Sequence, residues 1–184
     1  RQRGGGCSTF FADRADGIQP GVFVHHNKAF QLVEDNDAPI IMVGPGTGIA
    51  PFRAFLEERK LRGAKGNNWL IFGNPHRETD FLYEEQFTSL QEEGVLSHFD
   101  LAFSRDQAEK VYVQHRMEEK GREIWSWLED GATLYVCGDA NRMARDVDAT
   151  LHGIVEKHGG RSEDEAKDFV KALKKEKRYQ RDVY

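Results

Sequence analysis

Short apolar runs recur along the chain, and stretches with a helical spacing of apolar residues separate them. Residues 40–43 are uniformly apolar, which is typical of a strand that is buried on both faces of a parallel sheet. Further strands are predicted at 69–72, 99–103 and 133–136, and residues 178–184 could supply a closing strand. The pattern therefore predicts five strands, each separated from the next by a helical segment.

Between these strands, apolar residues recur every three or four positions, as at Met143, Val147, Leu151 and Ile154. Other helices are predicted after residue 48, over 80–90, around 114–128 and from Ser162, which forms a capping box with the glutamate three residues on. Strands that alternate with helices form right-handed βαβ units. We therefore expect an α/β fold with a doubly wound, parallel, five-stranded sheet.

The first 36 residues have a different pattern. They are glycine-rich at first, and residues 21–26 then alternate as a strand does. This segment is too short to bury a core of its own. We expect residues 1–36 to be the tail of a preceding domain and residues 37–184 to be the main domain. Because the chain opens on Arg1 without a methionine, we also expect it to be a fragment of a longer polypeptide.

Composition narrows the functional classes. The chain is 39% hydrophobic and 31% charged, with a net charge of -5 and a pI of about 5.8. These values suit a globular protein with a real core and argue against a nucleic-acid-binding surface. Cys7 and Cys137 form no CxxC pattern, which argues against zinc and disulfide scaffolding and fits a reducing cytoplasm. No apolar run approaches the roughly 18 residues of a membrane span.

In a doubly wound sheet, ligands bind beyond the carboxyl ends of the strands. The first strand is followed by Gly44-Pro45-Gly46-Thr47-Gly48. Glycines allow a close backbone approach to a phosphate, and the helix N-terminus that follows favours an anion. Thr47 could add a hydroxyl donor. The alternative is an ordinary tight turn between a strand and a helix.

The ends of the second and third strands point to the choice of nucleotide. An NAD site usually has an acidic residue at the end of the second strand, but residues 73–77 contain none. The third strand is followed by Ser104 and Arg105, then by Lys110 and Tyr112. A guanidinium, an ammonium and two hydroxyls could bind the 2′-phosphate of NADPH. The alternative is a solvated loop whose charges have no ligand.

The fourth predicted strand is followed directly by Cys137. A cysteine there could be a nucleophile, a soft contact for nicotinamide or a small core residue. No histidine adjoins it in sequence, so a non-covalent place beside the nicotinamide fits better. Asp139 could cap the next helix, and Asp146 could reach the ribose or remain a surface acid. The terminal Tyr184 could stack on a flat cofactor or belong to a frayed end.

Taken together, these motifs resemble the ferredoxin–NADP reductase superfamily. The resemblance rests on residues 44–53, on Phe72-Gly73-Asn74, on Ser104-Arg105 with residues 110–114, and on residues 135–139. Their order resembles the diflavin branch, and residues 74–76, 80–83, 139–144 and 178–184 resemble the flavoproteins of assimilatory NADPH–sulfite reductases most closely. The resemblance covers essentially the whole chain. The terminal Tyr184 supports it, because the microsomal reductases typically end in tryptophan.

The resemblance implies a role for particular residues. An FAD-contacting loop is implied for Gly5, Gly6, Cys7 and Ser8, and a contact with the NADP pyrophosphate is implied for Thr47. The implied 2′-phosphate site comprises Ser104, Arg105, Lys110, Val111, Tyr112, Val113 and Gln114. A further NADP contact is implied for Asp146. Cys137 and Asp182 would lie near the nicotinamide during hydride transfer, and Tyr184 would shield the flavin ring.

The resemblance also implies a reaction for the intact protein. Hydride would pass from NADPH to FAD, and electrons would leave through FMN to a haem/iron–sulfur subunit that reduces sulfite to sulfide. The chain lacks a flavodoxin-like FMN domain and most of an FAD-binding β-barrel, so we expect it to bind NADP better than FAD and to be inactive alone. The alternatives are another diflavin reductase, of the cytochrome reductase or nitric oxide synthase type, and a non-catalytic docking module.

Overall fold

A computed structural model describes residues 6–184 of the chain and contains a five-stranded sheet in which all strands are parallel. The strands are β1 (Ile40–Val43), β2 (Asn68–Asn74), β3 (His98–Phe103), β4 (Thr133–Gly138) and β5 (Tyr179–Val183). Their order across the sheet is β3-β2-β1-β4-β5. The structure confirms the predicted doubly wound α/β fold and its closing strand.

The helices are α1 (Gly6–Asp13), α2 (Ala50–Arg62), α3 (Arg77–Asp80), α4 (Glu84–Glu92), α5 (Val113–Glu119), α6 (Gly121–Glu129), α7 (Met143–Gly159) and α8 (Glu163–Lys175). Helices α2 and α4 cover one face of the sheet and α5 to α8 cover the other, whereas α1 and α3 have no buried residue. A 3-10 helix (Gly46–Ile49) joins β1 to α2. The predicted capping box of α8 is confirmed, since Ser162 and Glu165 cap each other. Within residues 6–184, no helix combines the length and the apolar character that crossing a membrane requires.

The central strand β1 explains why the sequence shows an unbroken apolar run. Ile41 and Val43 face a core layer that α5 to α8 cover. Ile40 and Met42 face the other layer, against α2 and α4. All four side chains are fully buried, because successive residues of a strand point to opposite faces and both faces are covered.

The strand predicted over residues 21–26 was wrong. Residues 21–26 form no strand, and Val22 and Phe23 are 86% and 89% exposed. A strand needs a hydrogen-bonding neighbour, and the described part of the chain offers this segment none. The first residues also include an unpredicted helix, α1, which has no buried residue. Both segments therefore lack the packing that stabilises the elements after residue 30.

The helix predicted over 80–90 begins only at Glu84 in the structure, and a separate short helix, α3, ends at Asp80. Tyr83, directly before α4, has a φ of 60°, which is a left-handed conformation that ends helical continuity. Phe81 stacks on Phe72 of β2, with ring centroids 5.5 Å apart. Packing of this aromatic side chain on the sheet thus takes precedence over the local helical pattern.

The segment that leads into β1 is attached to the sheet through Tyr135 of β4. Its hydroxyl accepts a hydrogen bond from the Val33 amide (2.9 Å) and donates one to the Gln31 carbonyl (3.1 Å). Phe30 is buried and lies edge-on to the Tyr135 ring. Burial raises the pKa of Tyr135 to about 12, so the hydroxyl stays protonated and can donate throughout the neutral range. Residues 30–33 therefore have a fixed path across the sheet.

One carboxylate joins α7, α8 and β5. Asp148 lies 3.1 Å from the ammonium of Lys174 and 3.7 Å from the guanidinium of Arg181, and His152 lies 3.6 Å away on α7 itself. Burial opposes ionisation of Asp148, but the hydrogen bond and charge of Lys174 outweigh it, so its pKa is below the ordinary 3.8. The ionised form therefore stabilises the folded state.

We expect Asp148→Asn to lower the free energy of unfolding by on the order of 1 kcal/mol at pH 7. Because the folded-state pKa is depressed, the stabilisation is present above the unfolded-state pKa and is lost as pH falls from about 4 through the lowered folded value. Urea unfolding of the parent chain and of Asp148→Asn, at pH 7 and below pH 4, measures the difference in unfolding free energy between them. Glu58→Gln, which breaks an exposed pair with Arg62, is the control; an equal effect of both changes would contradict the prediction.

Candidate functional site

The strand order places the candidate site between β1 and β4. From β1 the chain proceeds outward through β2 and β3, and it then returns to β4 on the other side of β1. Connections after β1 and β4 consequently leave the sheet in opposite directions, which opens a crevice at the carboxyl ends of these two strands. The glycine-rich turn after β1 and the segment after Gly138 form its two sides.

Glycines allow the turn after β1 to lie close to the end of β4. A Cβ atom on Gly48 would lie 2.1 Å from the carbonyl oxygen of Cys137, so only glycine fits. Gly46 has a φ of 57°, and nothing lies within 4 Å of the position where its Cβ would be. The backbone of Gly46 is thus open to a ligand in the crevice, as a phosphate-binding turn requires.

An open cleft of about 560 Å³ lies at this edge of the sheet. That is within the range of about 300–1,000 Å³ that is usual for small-molecule sites. Its lining comes from the segments that follow β1, β2, β3 and β4. The lining residues are Pro45, Gly46, Gly73, Asn74, Pro75, Ala102, Ser104, Tyr112, Val113, Gln114, Asp139, Arg142, Met143 and Asp146.

Backbone hydrogen bonds join the loops after β2 and β3. The Ser104 amide donates to the carbonyl of Asn74 and the Arg105 amide donates to that of Pro75, both at 2.9 Å. Asp106 accepts from the Arg77 amide at 2.8 Å and lies 2.9 Å from the Nδ1 of His76. These two contacts hold the pKa of Asp106 below its ordinary value. His76 therefore helps to position the predicted phosphate loop.

The predicted phosphate-binding residues divide into two groups. Ser104 is buried and lines the cleft, whereas Arg105 and Lys110 are exposed and lie outside the lining. Val111 is partly buried against the core. Within residues 6–184, no carboxylate lies within ion-pair distance of Arg105 or Lys110. Both cations are therefore free to pair with an anionic ligand, and they lie in sequence close to the lining residues Ser104 and Tyr112.

The start of α5 forms a second wall. Tyr112 is 41% exposed, and its amide donates to the Nδ1 of His115 at 3.1 Å. Val113 is buried in the core and also lines the cleft. The amide nitrogen of Gln114 donates to the carboxylate of Asp146 at 3.2 Å. This bond joins α5 to α7, so the two predicted contacts lie side by side in the cleft.

The N-terminus of α7 contributes residues that the sequence analysis did not select. Asp139 accepts hydrogen bonds from the amides of Arg142 (2.7 Å) and Met143 (3.2 Å), which lower its pKa. It thus bonds the first amides of α7, although the N-cap position itself is held by Arg142 and not by Asp139 as predicted. Arg142 and Met143 line the cleft, as do Asn74 and Pro75. All four lie between the end of a strand and the start of the next helix, with Asn74 ending β2 and Met143 beginning α7, so the rule that ligands bind at strand ends would have found them.

Cys137 and Asp182 are direct neighbours in the register of β4 and β5. Cys137 is only 2% exposed and does not line the cleft. Burial, and then the charge of Asp182, raise the pKa of the Cys137 thiol to about 11. The group is therefore a neutral thiol at pH 7, which agrees with a non-covalent role and not with a thiolate nucleophile.

Tyr184 does not fray from the end of the sheet. Its amide donates to the carbonyl of Gly138 (3.1 Å), its carbonyl accepts from the Ala140 amide (3.0 Å), and its phenol lies 2.7 Å from the hydroxyl of Thr47. Tyr184 itself is 66% exposed.

The predicted FAD contacts lie at the other end of the chain. Gly6, Cys7 and Ser8 are exposed on α1, and Gly5 lies outside the described residues.

The donor set of the cleft fits a dinucleotide. Gly46 offers an unobstructed backbone, Ser104, Tyr112 and Gln114 offer polar groups, and Arg142 offers a guanidinium. The parallel sheet and the cleft at its switch point define an α/β nucleotide-binding domain. Residues 42–149 match the family model of the oxidoreductase NAD-binding domain. The chain belongs to that family.

Curated relatives are similar over the whole chain. A protein of Pectobacterium atrosepticum named sulfite reductase [NADPH] flavoprotein alpha-component is 53% identical over 100% of this chain and 30% of its own length. Proteins of the same name from Zymomonas mobilis and Klebsiella pneumoniae are 56% and 52% identical, again over 100% of this chain and over 30% and 31% of their own lengths. The chain thus spans about a third of the length of these relatives.

Proposed function

We propose that the cleft binds NADPH and that the longer polypeptide containing this chain is the flavoprotein subunit of a sulfite reductase. The observation that carries the proposal is the cleft itself. Its far wall is formed by Ser104, Tyr112 and Gln114, next to two unpaired cations, Arg105 and Lys110. The end of β2, where an acid would hold an NAD ribose, instead presents Asn74 and Pro75. Whole-chain similarity to the sulfite reductase flavoproteins supports the choice.

The bound NADPH would supply hydride for transfer to FAD. In our proposal, the cations near Ser104 bind the 2′-phosphate, and the backbone at Gly46 with the Thr47 hydroxyl binds the pyrophosphate. Cys137, a buried and neutral thiol at pH 7, lies with Asp182 near the nicotinamide. Tyr184 shields the flavin until nicotinamide replaces its ring. These residues position and desolvate reactants, and none forms a covalent bond.

The remaining parts of the activity belong to the rest of the polypeptide and its partner. We propose that residues 1–36 are the end of an FAD-binding β-barrel domain and that residues 37–184 are the NADP-binding domain. The exposed apolar side chains of Phe11, Ile18, Val22 and Phe23 support this, since a preceding domain would cover them. FMN would accept electrons from FAD and pass them to a haem/iron–sulfur subunit. The unpaired Cys7 and Cys137 fit the reducing cytoplasm.

Titration calorimetry of the chain with NADP⁺ and with NAD⁺ tests the nucleotide proposal. We expect NADP⁺ to bind at least about tenfold more tightly, because one charge-assisted contact to a phosphate contributes about 1.5–3 kcal/mol. Circular dichroism of the same sample verifies that the chain is folded. If a folded chain bound neither nucleotide, the docking-module alternative would be favoured instead.

A further inference from the structure

The contact between Thr47 and Tyr184 joins the two ends of the proposed nucleotide site. Their hydroxyl oxygens lie 2.7 Å apart, although 137 positions separate the residues in sequence. Thr47 is the turn residue to which we assign a pyrophosphate contact, and Tyr184 is the ring to which we assign the shielding of the flavin. One hydrogen bond therefore links a phosphate-binding group directly to the group that blocks the nicotinamide.

Both partners have fixed backbones. Thr47 lies in the 3-10 helix, whose position is set by the close fit of Gly48 against the Cys137 carbonyl. Tyr184 has its amide and its carbonyl bonded to the chain just after β4, at Gly138 and Ala140. The ring of Tyr184 can consequently move only by rotation about its side-chain bonds. Since 66% of the residue is exposed, packing does little to restrain that rotation, and the bond to Thr47 is its main restraint.

The chemistry of the two hydroxyls determines how a phosphate acts on this bond. A hydroxyl has one proton to donate and can accept as well, so without a ligand either residue can be the donor. An ionised pyrophosphate only accepts. When the pyrophosphate accepts a hydrogen bond from the Thr47 hydroxyl, the phenol of Tyr184 must donate its own hydrogen bond to the Thr47 oxygen. A donor that is itself polarised by an anion makes a stronger acceptor, because chains of hydrogen bonds reinforce one another.

We propose that Thr47 is the positioning residue of the C-terminal tyrosine and that a phosphate bound at the turn tightens its hold on the ring. The proposal rests on the proposed function, because the phosphate is that of NADPH. Thr47 thus serves both phosphate binding and the placement of the ring that the nicotinamide must replace.

Fluorine NMR of the 184-residue chain labelled with 3-fluorotyrosine tests this directly. The chain has five tyrosines, and Tyr184→Phe assigns the relevant signal. We expect Thr47→Val to lower the ratio of restrained to free Tyr184 ring by about 2- to 10-fold, the worth of one neutral hydrogen bond. Thr47→Ser keeps the hydroxyl and is the matched control, so its signal should remain like that of the parent. Circular dichroism verifies that both variants fold.

Addition of NADP⁺ separates this inference from the proposed function. In the parent chain 2′-phospho-ADP-ribose, which carries the phosphates of NADP⁺ but no nicotinamide, should shift the Tyr184 signal further towards the restrained position. In Thr47→Val it should not, with binding of this compound and of NADP⁺ verified by calorimetry. An unchanged Tyr184 signal in Thr47→Val would overturn the positioning role, even where NADP⁺ binds. If Thr47→Val freed the ring but the parent chain did not bind NADP⁺, the proposed function and the phosphate link would fail while the hold by Thr47 would stand.

Discussion

Gly48→Ala is expected to destabilise the folded chain by about 3 kcal/mol, the upper part of the range for overpacked sites. The added Cβ would lie 2.1 Å from the carbonyl oxygen and 2.7 Å from the carbonyl carbon of Cys137. Both atoms belong to the backbone of β4, which is hydrogen-bonded between β1 and β5. Because neither neighbour can yield without breaking strand pairing, the turn itself must move, and the cleft should deform with it.

Thermal unfolding measures this effect. For a chain of this size, a loss of about 3 kcal/mol lowers Tm by about 6–12 °C. Gly153→Ala is the matched control, since nothing lies within 4 Å of its added Cβ in the exposed face of α7. In a helix this change removes the entropic cost of glycine and should stabilise by about 0.5–1 kcal/mol. A Gly48→Ala variant that melts like the parent would show that the turn is not closely packed against β4.

The fold was predictable where local pattern and burial agree. The apolar run of β1 and the capping box of α8 are determined by neighbouring residues, and both predictions are confirmed. The strand at 21–26 was wrong because strand formation depends on a partner that the described chain does not provide. The break at Tyr83 was missed because it depends on the stacking of Phe81 against β2. Long-range packing, which leaves no local sequence signal, decided both cases.

The candidate site shows the same division. Ser104 and Tyr112 were selected because they follow a strand, and Gln114 was implied by the family resemblance. The structure brings all three to one cleft with Asp146. Arg142 follows a strand as well, but it was not selected because the strand-end segment contained Asp139 and Cys137, whose chemistry was more conspicuous. The contact between Thr47 and Tyr184 depends on the register of β5. Sequence spacing alone could not have predicted it.

The loop that carries Arg105 is well placed to discriminate between NADP and NAD. Its backbone is bonded to Pro75, and the Asp106 carboxylate fastens the next residue to His76 and Arg77. The guanidinium itself is exposed, and the described chain provides no carboxylate to compete for it. A rigid loop with an unpaired planar cation loses little entropy on binding a phosphate and can form two parallel hydrogen bonds.

We therefore expect Arg105→Ala to weaken NADP⁺ binding by about 1.5–3 kcal/mol, roughly 10- to 150-fold, and to leave NAD⁺ binding unchanged. The reason is that the two nucleotides differ only in the 2′-phosphate. Titration calorimetry with both nucleotides measures the difference.

Arg105→Lys keeps the charge but not the planar fork of the guanidinium, and should lose an intermediate amount of NADP⁺ binding free energy. Arg122→Ala, which removes an exposed cation on α6 outside the cleft, should change neither affinity. Equal losses for NADP⁺ and NAD⁺ would place Arg105 on a part that both share, such as the pyrophosphate, and would transfer the 2′-phosphate contact to Lys110.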